Sequence, residues 1–117
     1  APLFVGVDDG PGGAPGATVT ELEFATPQPN PTRNGVARPR MWFGVPAGLA
    51  GQRYELAIYD LTGRLVKRVD TGAAPSGRFS LEWNLRDAVG RPVNGGVYFA
   101  RFSLGAQTIT RKLVVLQ

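Results

Sequence analysis

The sequence of 117 residues lacks cysteine and histidine altogether and contains a single methionine. Without cysteine, neither a disulfide nor a thiolate metal site can form. Without histidine, the commonest general base and the commonest metal-binding side chain are both missing. Catalysis would depend on nine carboxylates and the hydroxyls, and neither Ser76 nor Ser80 has a base partner for nucleophilic attack. We therefore expect no catalytic residues, no metal site and no cofactor.

Long apolar runs are also missing. A membrane-spanning helix needs roughly 20 consecutive apolar residues, and no such stretch occurs, so we expect no membrane span. The chain begins with Ala-Pro, without a basic segment followed by an apolar one. This start suits a mature chain after removal of a signal peptide, or a fragment of a longer protein.

Acidic and basic residues are divided unevenly along the chain. Residues 1–25 carry four acids and no base, which gives −4, whereas residues 26–117 carry all 13 bases against five acids, which gives +8. An acidic arm can attract its own basic body or that of a neighbour. A sequence pI of 10.1 also fits a nucleic-acid-binding protein. The arginines are scattered, however, as on the solvent face of strands, so we expect no nucleic-acid partner.

Short strand-like segments with frequent turn signals fill most of the sequence, which has sixteen glycines and ten prolines. No segment has a useful helical period. About seven strands with a turn every 8 to 12 residues or so predict an all-β fold, an immunoglobulin-like β-sandwich of antiparallel strands. Most of the aromatic residues are expected in its core, because a sandwich this small needs them there. The predicted strands are residues 18–26, 36–45, 52–60, 64–70, 77–84, 96–104 and 107–117.

One feature of these strands remains open. The last two form a hairpin around residues 104–107, but their two faces are similarly apolar, so the register is undetermined. One alternative buries Tyr98, Ala100, Phe102 and Leu104, and the other buries the opposite set.

The N-terminal region is predicted to be an extended arm. Residues 8–17 are a glycine- and proline-rich linker, so we divide the chain into residues 1–26, the arm with a first strand, and residues 27–117, the sandwich. The arm either folds back on its own domain or adds a strand to a neighbour's sheet, which would build a filament. The candidate assembly residues are the apolar ones: Leu3, Phe4, Val5, Val7, Val19, Leu22 and Phe24.

The stretch YDLTGRLV interrupts the alternation between two strands. It contains Tyr59, Asp60, Gly63 and Arg64, which could be a ligand loop or a corner. A corner is favoured, since Asp60 can bond the backbone two residues on and Gly63 can adopt a positive φ. Arg64 then faces solvent or pairs with Asp60, a surface pair worth about 0–1 kcal/mol.

Several motifs resemble one bacterial family. They are Pro29-Asn30-Pro31, residues 58–66, residues 90–93 ahead of Gly96-Val97-Tyr98-Phe99, and residues 110–115. In this order and spacing they resemble the immunoglobulin-like domain of the flagellar hook-capping protein. They are also similar to the C-terminal sorting domains of the type IX secretion system of Bacteroidota and relatives. The resemblance covers roughly residues 27–117.

The resemblance implies a secreted, non-catalytic sandwich at the C-terminus of an exported bacterial protein. Such a domain is read by the secretion machinery, and it is often removed or used for cell-surface attachment. It normally follows a large passenger, whereas 26 residues precede it here, so we expect either that a passenger was cut away or that this chain is the whole unit. The strand expected to be read is Arg111, Lys112, Leu113, Val114 and Val115.

Two further functions compete with sorting. One is a filament subunit that binds copies of itself through the arm. The other is a carbohydrate-binding module that uses exposed Trp42, Tyr59 or Tyr98.

Overall fold

The computed structural model describes residues 19–117. The expectations for Leu3, Phe4, Val5 and Val7 and for the linker lie outside these residues. The described part contains eight strands and one turn of 3-10 helix at Ala47–Leu49. The strands are β1 Glu23–Phe24, β2 Thr32–Arg33, β3 Arg40–Val45, β4 Arg53–Asp60, β5 Leu65–Ala73, β6 Gly77–Glu82, β7 Gly96–Leu104 and β8 Gln107–Leu116.

The strands form two facing sheets. The smaller sheet has the order β1-β3-β6, and the larger has the order β2-β8-β7-β4-β5. All pairs are antiparallel except β2 with β8, which is parallel. The predicted all-β sandwich is therefore confirmed.

Aromatic rings from both sheets build the centre of the core. The Phe43 ring of β3 stacks on Phe24 at 4.9 Å and on Phe79 at 5.0 Å between centroids. It also meets Phe102 of the opposite sheet at 4.4 Å. Each such ring buries a large apolar surface, and aromatic rings dominate the energetics of a core. Trp42, Tyr59 and Phe99 are the half-buried exceptions, on the outer faces.

The register of the β7–β8 hairpin is settled by burial. Tyr98, Ala100, Phe102 and Leu104 point into the core, and β7 pairs with β8 from Gly96 opposite Val115 to Leu104 opposite Gln107. The four buried side chains of β7 belong to the first of the two alternatives that the sequence left open.

One expectation near the start of the domain is wrong. Within the described residues, the strand expected over residues 18–26 is reduced to Glu23–Phe24, and both Val19 and Phe24 are buried. After the prolines, Thr32–Arg33 forms β2, a short strand that is not among those predicted from the sequence. Phe24 belongs to the core, so the folded part includes residues before position 27. The division of the chain at residues 26 and 27 stays a prediction.

Candidate functional site

The terminal strand β8 carries the five residues that the resemblance singles out. Leu113 and Val115 are buried in the core, and Val114 is half-buried. Arg111 and Lys112 are exposed. The apolar members therefore anchor the strand, while the two basic side chains are what a partner of the folded domain can contact.

The C-terminal end of β8 is held by a polar group that we call the clamp, made of Asn30, Arg33 and Asn34. The Asn30 side-chain Nδ2 donates to the Lys112 carbonyl at 2.9 Å, and its Oδ1 accepts from the Val114 amide at 3.0 Å. The Asn34 amide donates to the Leu116 carbonyl at 3.1 Å.

The rest of the clamp reaches the last residue and the neighbouring loop. Arg33 Nη1 donates to the Gln117 oxygen at 2.6 Å, and Asn34 Nδ2 donates to the Val93 carbonyl at 2.9 Å. Together with the pairing of Thr32 opposite Val115, these bonds fix the outer side of β8 from Lys112 to its end.

The two sheets are joined at β8 by one hydrogen bond. Arg111 Nε donates to the Phe24 carbonyl of β1 at 2.7 Å. One nitrogen of this predicted recognition residue is thus already bound within the domain. Lys112 has no ion pair with the acidic side chains of residues 19–117, which leaves its charge available.

The first part of β8 has an outer side that no strand of the described chain covers. In a two-residue hairpin, the residues that flank the turn form a hydrogen-bonded pair, and pairs then alternate. Because Leu104 and Gln107 flank the turn, Thr108, Thr110, Lys112 and Val114 direct their backbone groups away from β7. The clamp agrees with this geometry, because it binds the Lys112 carbonyl and the Val114 amide. The groups at Thr108 and Thr110 lie before the clamp.

The outer face of the larger sheet next to this edge combines aromatic and basic side chains. The guanidinium carbon of Arg101 lies 4.3 Å from the centre of the Tyr59 ring, and Arg101 Nη2 donates to the Tyr59 hydroxyl. Phe99 and Thr110 line the same shallow depression of about 250 Å³. Asp60 lines it as well, so the surface beside the β8 edge is partly apolar and places one acid near the base Arg101.

The YDLTGRLV stretch forms the turn between β4 and β5. Asp60 Oδ1 accepts from the Thr62 amide at 2.9 Å and from the Arg64 amide at 3.0 Å. Gly63 has φ 89°, a conformation that glycine adopts at little cost. Arg64 Nε lies 3.7 Å from Asp60 Oδ2. The carboxylate is thus engaged in shaping the chain.

The same geometry occurs a second time, at Asp87. Its Oδ1 accepts from the Val89 and Arg91 amides, both at 3.0 Å, and Gly90 has φ 87°. Both segments read Asp-x-x-Gly-Arg, a repeat that is visible in the sequence but was not recognised there. The two turns lie side by side, since the Ala88 amide donates to the Val66 carbonyl at 3.1 Å.

Hydrogen bonding stabilises the charged form of both turn aspartates. The hydrogen bond from the Thr62 hydroxyl is the largest cause that lowers the pKa of Asp60, and the bond from the Arg64 amide is the second. The Arg91 amide, followed by that of Val89, lowers the pKa of Asp87. A carboxylate that accepts backbone amides is favoured over its protonated form, which cannot accept as strongly.

No group of three metal-binding side chains occurs within residues 19–117. No helix in that range is long and apolar enough to cross a membrane.

The structure thus shows a small β-sandwich in which the first part of the last strand lies at an open sheet edge. Residues 29–116 match the family described as "Secretion system C-terminal sorting domain", and the chain belongs to that family. The resemblance read from the sequence is confirmed. The family is the sorting domain of type IX secretion, a non-catalytic module that marks proteins secreted to the cell surface or extracellular space. The expected location outside the cell is confirmed with it.

Two solved structures from Porphyromonas gingivalis are similar to this chain. The crystal structure of dimeric latent PorU matches with a TM-score of 0.63 and 21% identity, over 81% of this chain and 9% of that chain. PorZ, an essential surface component of the type-IX secretion system, matches with a TM-score of 0.49 and 22% identity, over 82% of this chain and 11% of that one. The chain therefore spans about a tenth of either protein. Among curated proteins, none matches.

The family match supports the sorting function, and the PorU structure supports the sandwich fold. Neither supports a filament subunit or a carbohydrate-binding module. The predictions from the sequence do not include the clamp, although Asn30 belongs to the family motif Pro29-Asn30-Pro31. The available signal was a carboxamide between two prolines, where the backbone lacks N–H donors and a side chain can supply both a donor and an acceptor.

Proposed function

We propose that this domain is the signal by which an exported protein is recognised by the type IX secretion machinery, through the exposed basic residues of β8. The observation that carries this proposal is that β8 contains both buried apolar residues and exposed basic residues. Leu113 and Val115 are inaccessible in the folded domain, whereas Arg111 and Lys112 are exposed.

Protein recognition explains the exposed charges better than stability does. Lys112 has no acidic partner within residues 19–117, and isolated surface charges contribute little to folding. Complementary charges steer association and select partners. The partner is accordingly a protein of the secretion machinery that presents acidic groups to β8. Attachment to the cell surface after export is part of the same proposal.

The test fuses the full 117 residues behind a reporter carrying a signal peptide, in a bacterium with type IX secretion. Lys112→Glu reverses the exposed charge, and Arg53→Glu is the matched control, since Arg53 is equally an exposed strand residue on β4. We expect Lys112→Glu to leave the thermal midpoint of the purified domain unchanged and to retain the reporter in the periplasm. The control should be exported. Export of the Lys112→Glu fusion at the unmodified level would contradict the role of the β8 charges.

A further inference from the structure

We propose that the outer edge of β8, at Thr108 and Thr110, accepts an extended acidic segment of a partner protein as an additional strand. The edge presents the amides of Thr108, Thr110 and Lys112 and the carbonyls of Thr108 and Thr110, as the hairpin geometry requires. No strand within residues 19–117 pairs with them. An exposed row of this kind is what a peptide uses when it joins a sheet.

The β8 edge differs from the opposite edge of the same sheet. There β5 is irregular, because its pairing with β4 is interrupted by two register shifts. It also carries Lys67, Arg68 and Asp70, and the Val66 carbonyl is already bound by the Ala88 amide. Bulges, charges and covering loops are the devices that keep an edge from pairing.

Within residues 19–117 the start of β8 has neither a bulge nor a covering loop, and its charged side chains begin only at Arg111. Its pairing with β7 is continuous over the nine residue pairs of the hairpin. Residues 107–111 contain no proline, and the side chains beside the open groups are threonines, which favour strands. The clamp ends the open stretch at Lys112, so the edge has a defined length. The start of β8 therefore has the features of an edge that can pair with an added strand.

The charge around the edge selects an acidic occupant. After Asp87 the chain has no further acid, while it carries Arg91, Arg101, Arg111 and Lys112. Three of these lie on β7 and β8 themselves, which carry no acidic side chain, whereas one acid, Asp60 of β4, lines the depression beside Thr110. A strand with glutamates or aspartates is therefore attracted, and a basic strand is repelled.

This inference deepens the proposed function and rests on it only for the identity of the partner, since strand addition is measurable without secretion. The probe is a seven-residue peptide of alternating valine and glutamate, with an alternating valine and lysine peptide as its counterpart. Amide hydrogen exchange of the full chain is followed by NMR. We expect the amides of Thr108 and Thr110 to exchange fast in the free protein. The glutamate peptide should slow this exchange, and the lysine peptide should not.

The decisive variant is Thr110→Pro. The Thr110 amide points away from β7, so proline there removes no bond of the hairpin, yet its ring occupies the approach of an incoming strand. We expect affinity for the glutamate peptide to fall about tenfold or more, with an unchanged thermal midpoint. Thr110→Val, which keeps the amide and the strand preference, should bind as the unmodified chain does. Thr108→Pro gives a second test of the same kind if Thr110→Pro does not fold.

Three results would overturn the proposal. They are exchange protection at Thr108 and Thr110 without peptide, equal binding of the lysine peptide, and undiminished binding by a folded proline variant. The first would mean that the edge is already occupied by this chain or a second copy. If the domain binds the glutamate peptide but its Lys112→Glu fusion is exported normally, the role of the β8 charges in sorting is refuted while strand addition stays in place.

Discussion

Replacing Asn30 with alanine should weaken the domain at the end of its last strand. The change removes the donor to the Lys112 carbonyl and the acceptor of the Val114 amide. A hydrogen bond contributes about 0.5–1.5 kcal/mol net, so we expect a loss of about 1–3 kcal/mol in the free energy of unfolding. The bond to the Lys112 carbonyl is exposed, so its contribution lies at the lower end of that range. The Val114 amide is half-buried and loses its acceptor in a less solvated place, so its bond contributes more.

Urea denaturation measures this loss, and amide hydrogen exchange localises it. Exchange at Val114 should accelerate more than exchange in β4 or β7. Asn94→Ala is the matched control, because Asn94 is an exposed loop asparagine whose side chain is not part of the clamp. Asn30→Asp is a second variant, which keeps an acceptor for the Val114 amide but turns a carboxylate oxygen toward the Lys112 carbonyl. It should lose at least as much free energy of unfolding as Asn30→Ala. If Asn30→Ala stays within about 0.5 kcal/mol of the unmodified chain, the clamp does not hold β8.

The two turns allow two further predictions. Gly63→Ala should lower the free energy of unfolding by about 1–2 kcal/mol through backbone strain alone, because the added Cβ meets no atom within 4 Å. Gly48→Ala is the control: its site is equally open but has no positive φ, so the loss should be much smaller. Equal urea midpoints for the two variants would refute the strain at Gly63. Asp60 and Asp87 have folded pKa values below the unfolded value of about 3.9. Their contribution is therefore complete above the unfolded pKa and is lost as the pH falls through the folded one. The double variant Asp60→Asn, Asp87→Asn should lose less stability than the unmodified chain between about pH 5 and pH 2, and an equal loss in urea titrations at the two pH values would contradict this origin.

The long strands could be predicted because each buries one face. The alternation of Tyr54, Leu56 and Ile58 in β4, and of Phe79, Leu81 and Trp83 around β6, is a local signal that the fold preserves. The register of β7 and β8 could not be predicted, because the choice between two apolar faces is made by contact with the opposite sheet.

The short strands and the clamp escaped prediction for a different reason. A two-residue strand such as Thr32–Arg33 has no period to detect, and it pairs with a strand at the other end of the chain. The bond between Asn30 and Lys112 joins residues 82 positions apart. Which strand ends at a sheet edge is likewise decided by pairing across the whole domain, so the open side of β8 is invisible in local sequence.

The position of the clamp asparagine has a consequence for the ageing of a secreted protein. Asparagine deamidates when the backbone nitrogen of the next residue attacks its side-chain carbonyl, which requires that nitrogen to carry a hydrogen. Asn30 is followed by Pro31, whose nitrogen carries none. The spontaneous conversion of Asn30 to aspartate, which would put a negative charge against the Lys112 carbonyl, is thereby suppressed. The proline after the clamp thus gives chemical durability to a domain that works outside the cell, where it cannot be resynthesised in place.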